Sequence, residues 1–104
     1  MGTFGFSVRI EQVDGTVVVR PSGELDVLTA PQLDRVLESV VGHFRAVVLD
    51  MSGVRFVDCA GLAPIRRALE GQSRTSVRVV DAQPKVERVL RLTGLHRQVT
   101  ASHG

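Results

Sequence analysis

Cys59 is the only sulfur nucleophile in the chain, and it stands between Asp58 and the small pair Ala60-Gly61 where a helical pattern begins. Unpaired N–H groups and the helix dipole at such a position favour a thiolate, which could do redox or nucleophilic chemistry if a base stood beside it. No histidine is near in sequence, and a free Cys more often serves as a small buried residue. Carboxylates are the next candidates: Asp50 and Asp58 flank one loop, and Glu24 and Asp26 lie in another. Crossover topologies bring successive loops together, so these could pair for general acid–base work, or they could simply form turns and helix caps. His43, His96 and His103 are spread along the chain without His-x-x-x-His or Cys-x-x-Cys spacing, and no metal site is expected. Gly53 and Gly61 are too far apart for a phosphate loop, and no Gly-Lys-Ser/Thr follows them. What is left is recognition. Arg55, Arg66 and Arg67 would place three guanidinium groups around the segment 58–61, with Asp26, Asp50 and Asp58 near it, a small charged surface suited to a protein partner. The alternative is that these arginines solvate an outer helix face.

The elements that must position this segment can be read from periodicity. Phe4, Phe6, Val8 and Ile10 alternate with polar or small residues, Asp14-Gly15 interrupts, and a Val-rich run follows from Thr16 to Arg20, which predicts a β-hairpin. Pro21 is expected to end that strand or mark an edge, since it offers no N–H. Thr29-Ala30-Pro31-Gln32 has the spacing of a capping box, and Leu33, Val36, Leu37, Val40, Val41 and Phe44 recur at helical spacing behind it. Ala46-Val47-Val48-Leu49 is apolar on both faces and predicts a central strand covered by helices on one side or both. A loop over 51–57 leads to Asp58, which can cap a second helix with Leu62, Ile65 and Leu69 inward and a stop near Gly71. Pro64 would lie in the first turn of that helix or kink it. A strand over 76–80, a helix opening at Gln83-Pro84 with Val86, Val89, Leu90 and Thr93 on one face and a Gly94 stop, and a last short strand or tail at Val99 complete the order ββαβαβα(β).

Composition narrows the function. The 104 residues allow one core and too little chain for two. Thirteen basic against eleven acidic residues leave a charge of +2, which is no basic stripe, and an aromatic share of 4% without Trp or Tyr offers no stacking platform, so nucleic acid is disfavoured as a partner. The longest uninterrupted apolar run, 46–49, cannot span a bilayer. With one Cys, no signal-peptide pattern, and Phe6 where an acylation signal wants Ser or Thr, the expectation is a cytoplasmic protein with no direct membrane insertion.

The run Asp50-Met51-Ser52-Gly53-Val54-Arg55-Phe56-Val57-Asp58-Cys59-Ala60-Gly61-Leu62 resembles the signature segment of the STAS domain, as found in bacterial anti-sigma factor antagonists. Gly23-Glu24-Leu25-Asp26 followed by Thr29 resembles the segment before that family's first helix, and Thr93-Gly94-Leu95 the segment closing its last. The resemblance implies an α/β fold with a mixed four- to five-stranded sheet and about three helices packed on one face. It implies a single STAS domain over 1–104, with a core of about 6–99. It further implies a regulatory, non-enzymatic module without cofactor, whose partner is an anti-sigma factor with a serine kinase-type fold that releases its sigma factor on binding. Asp26, Asp58, Cys59, Ala60, Gly61 and Leu62 would form the partner-binding and switch loop. In the family a Ser or Thr directly before the glycine of this motif accepts phosphate from the kinase; here that position is Ala60, which has no hydroxyl. A scaffold role, in a stress-signalling assembly or a lipid-transport ABC system, is the alternative, and a homodimer is a further partner open to the chain.

Overall fold

The structure is a computed structural model that describes residues 2–3, 5–71, 74–95 and 99–100. Phe4, His96 and His103 lie outside the described residues. The expected hairpin forms from β2 (Phe6–Val13) and β3 (Thr16–Leu25), and a two-residue β1 (Gly2–Thr3) adds to β2 at Phe6 and Ser7. Asp14 takes a positive φ of 54° in the Asp14-Gly15 turn, a conformation that Asp tolerates better than most side chains. After the hairpin come α1 (Ala30–Val40), β4 (Ala46–Asp50), β5 (Gly53–Val57), α2 (Cys59–Glu70), β6 (Ser76–Val80), α3 (Pro84–Leu92) and β7 (Val99–Thr100). The sheet runs β1-β2-β3-β4-β6-β7, with β5 paired to β3; the first two pairings are antiparallel and the others parallel. Five strands are longer than two residues, in a mixed sheet with three helices as expected.

Register explains where the core sits. Ile10, Val19, Leu49 and Val79 lie in one row across β2, β3, β4 and β6, and Gln12, Val17, Val47 and Val77 lie in the next. Val17, Val19, Val47, Leu49 and Val79 are buried with Leu33 and Leu37 of α1, Leu62 and Ile65 of α2, and Val86 and Leu90 of α3. Each such side chain contributes about 1.5–3 kcal/mol on leaving water. Ala46 and Val48, facing the other way on β4, stay half-buried, so the helices cover one face of this strand and not both.

Several local expectations are corrected. Pro21 neither ends β3 nor marks an edge: β3 pairs with β4 at Thr16 to Val19 and with β5 from Ser22 on, so Pro21 falls in the gap between two partners, where no ladder donor is needed. The segment read as a loop contains β5. The capping box at Thr29 does not form; the Thr29 hydroxyl donates to the Glu24 carbonyl at 2.7 Å and accepts from the Asp26 N–H at 2.9 Å. Helix α1 stops before Phe44, because Val41 is already extended and Gly42 turns with a φ of +94°. Pro64 is the sixth residue of an uninterrupted α2, beyond its first turn; its missing N–H leaves the Ala60 carbonyl without the usual i+4 donor.

Candidate functional site

Two helices start where β3 and β5 end side by side. Leu25 pairs with Val57, and the Asp58 N–H continues the ladder by donating to the Leu25 carbonyl at 3.3 Å. Asp58 then caps α2: its Oδ1 accepts from the Gly61 N–H at 2.8 Å. Gly61 lies against the same Leu25 carbonyl so closely that a Cβ there would sit 2.1 Å from its oxygen. Only glycine lets α2 seat on β3 at this distance. On the neighbouring loop, Asp26 Oδ1 accepts from the Leu28 N–H at 2.9 Å and the Thr29 N–H at 3.2 Å, fixing the entry to α1.

A bulge in β5 decides which side chains face out. Gly23 pairs with Val54 but Glu24 with Phe56, leaving Arg55 over. Without that extra residue the two-residue period that buries Val54 would also bury Phe56. With it, Arg55 and Phe56 both face out and Val57 returns to the core. Phe56 is 48% exposed, and Val27 and Leu28, between the Asp26 turn and α1, are 66% and 67% exposed. Cys59 and Ala60 are exposed as well, so residues 27, 28, 56, 59 and 60 present mainly apolar or small side chains to solvent near the ends of β3 and β5. Phe56, Val27 and Leu28 escaped the sequence reading. The apolar pair wedged between Asp26 and Thr29 was the available signal for two of them, whereas Phe56 fell within the segment 51–57 read as a loop.

The six residues expected at the switch loop divide by this geometry. Cys59 and Ala60 are exposed, and Asp26 and Asp58 are half-buried with carboxylate oxygens engaged by backbone N–H groups. Gly61 and Leu62 are buried beneath the exposed pair and support the loop from below. Asp50 ends β4 level with Arg20, whereas Asp58 follows β5 level with Asp26, six residues further along β3, so the two are on the order of 20 Å apart at the rise of a strand and form no catalytic pair. Asp50 instead receives the Ser52 N–H at 3.0 Å and the Arg20 guanidinium at 3.4 Å. Burial pushes its carboxyl up, but those hydrogen bonds and the nearby positive charge outweigh burial and hold it below the usual carboxylate range. The expected arginine cluster is also undone: Arg67 is turned to α1 and pairs with Asp34 at 3.1 Å, and Arg66 lies beyond the first turn of α2. Among the described residues no group of three His, Cys, Asp or Glu could hold a metal, and no helix is long and apolar enough to cross a membrane.

A mixed sheet with its helices in one core and two helix starts at the ends of paired parallel strands defines a class of small mixed α/β domain. The STAS domain model matches residues 7–103, and the chain belongs to that family. The fold is similar to the crystal structure of an anti-sigma factor antagonist from Mycobacterium paratuberculosis, with a TM-score of 0.84 and 33% identity over 95% of this chain and 86% of that one. A candidate anti-sigma factor antagonist from Thermotoga maritima gives a TM-score of 0.80 at 28% identity, over 90% of this chain and 84% of that one. The anti-sigma factor antagonist SpoIIAA in its unphosphorylated form shares the fold, with a TM-score of 0.75 at 22% identity over 92% and 88% of the two chains, and the Bacillus protein is also solved phosphorylated. No curated protein sequence matches the chain.

Proposed function

We propose that this chain is an anti-sigma factor antagonist. It binds an anti-sigma factor of serine kinase-type fold through the surface of Val27, Leu28, Phe56, Cys59 and Ala60, and the sigma factor is released. The observation that carries this reading is the exposure of mainly apolar and small side chains around the α2 start, in a chain that is 33% identical to an anti-sigma factor antagonist over 95% of its length. Apolar and small side chains at the centre with charged ones at the rim suit a protein partner.

The patch also supports a binder with no off-switch at this place. A relative of the same fold exists in phosphorylated form, and a phosphate adds about −1.5 to −2 charges, enough to disrupt a mainly apolar contact. Ala60, the position that resembles the acceptor, has no hydroxyl. The only hydroxyl within 24–29 and 56–62 is that of Thr29, which is 3% exposed and donates to the Glu24 carbonyl. Tagged full-length chain used as bait in its native cell tests the reading. The expected catch is a kinase-fold protein, with sigma factor absent from that captured pair; capture of an ATPase with membrane components would instead assign the scaffold role.

A further inference from the structure

We propose that the open edge of β2 pairs with a second copy of the chain, antiparallel and centred on Ile10, to give one continuous sheet across a dimer. Among the described residues β1 covers β2 only at Phe6 and Ser7, so the outer edge from Val8 to Val13 has no strand beside it, and every side chain from Arg9 to Val13 is exposed. An uncovered edge is a template for another strand.

The direction of the unpaired groups follows from Pro21. Pro21 lies opposite Val8, and its carbonyl oxygen points to the β5 side of β3, 3.1 Å from where a Cβ on Gly53 would be. Val8 and Pro21 therefore exchange no hydrogen bonds, and by the alternation of antiparallel ladders the N–H and C=O groups of Val8, Ile10 and Gln12 point outward.

Charge chooses the occupant and the register. Arg9 and Glu11 flank Ile10 and share the sheet face away from the helices. A two-fold axis through an Ile10–Ile10 pair sets Arg9 against the partner's Glu11 and Glu11 against the partner's Arg9. An axis at Arg9 or at Glu11 would oppose like charges, and one at Gln12 would set Glu11 against the partner's Val13. Glu11 already accepts from Arg20 at 2.7 Å, and Arg20 reaches Asp50, so the partner's Arg9 would extend an existing network of alternating sign. On the opposite face Ile10 is 52% exposed and borders a groove of about 370 Å³ between β2 and α1, lined also by Val8, Arg35 and Val36. Pairing would place the partner's Ile10 beside it. Self-complementarity of one patch is what a two-fold interface requires.

The contact is small, so association is expected in roughly the 10 µM to 1 mM range. Sedimentation of the full chain over that range should show a monomer–dimer equilibrium. Arg9→Glu and Glu11→Arg should each weaken it roughly tenfold by opposing like charges at two symmetric sites, and the double swap should restore it. Hydrogen exchange on the unmodified chain gives a test free of folding effects: the amides of Val8, Ile10 and Gln12 should gain protection as concentration rises. A monomer throughout, dimerisation indifferent to both reversals, a swap that restores nothing, or protection gained elsewhere but not on these amides would each overturn the pairing.

Discussion

Gly61 is the residue on which the α2 start most depends, and its role is steric. Replacing glycine by alanine within a helix ordinarily gains up to about 1 kcal/mol. Here the new Cβ would meet a backbone oxygen at 2.1 Å, and no side-chain rotation can relieve that contact. Gly61→Ala is expected to cost on the order of 3 kcal/mol, seen as a lower urea midpoint; an unchanged or raised midpoint would mean that α2 does not seat on Leu25 as described. Residue chemistry was partly legible in the sequence. Asp58 was readable as a cap because an acid before a helical pattern has few other local uses, and Gly61 as a small residue permitting close approach. That its neighbour is the Leu25 carbonyl is a tertiary fact, as is the turn of Arg67 toward Asp34. The burial of Gly61 and Leu62 beneath exposed Cys59 and Ala60 is tertiary too, because neighbours in sequence give no sign of which side chain faces solvent.

At the scale of elements, β5 carries the most information and was the least legible. Strands are recognised by a period of two, and the bulge at Arg55 breaks that period inside a five-residue strand. Pro21 misled for a related reason: a strand shared end to end by two partners has a gap where proline does no harm. The helices, with longer periodic faces, were readable apart from the α1 end, where Gly42 overrides the spacing of Phe44. The bulge can be tested by two truncations. Phe56→Ala should cost less than about 1 kcal/mol because half the ring is in water, whereas Val57→Ala should cost about 2 kcal/mol for two buried carbons and the cavity left. If denaturation reverses that order, Phe56 points inward and β5 is regular.

For the whole molecule, the sheet has a division of labour. One face and three helices make the core, the ends of β3 and β5 present the patch around Ala60, and the outer edge of β2 lies along a different boundary of the sheet, so a partner and a second copy need not compete. The α/β class and the order of most elements were legible, because alternating strand and helix patterns admit few arrangements; which loops meet was supplied only by the topology. The central claim is that the chain holds a kinase-fold anti-sigma factor and cannot be released by phosphorylation at Ala60. Calorimetric titration of the chain against the captured kinase-fold protein, before and after incubation of the two with ATP, tests it most directly when Ala60→Ser is run beside it. The unmodified chain should bind equally before and after, with unchanged intact mass, while Ala60→Ser should gain a phosphate and lose binding. Loss of binding by the unmodified chain after ATP, with phosphate on it, or failure to bind under either condition, would contradict the account.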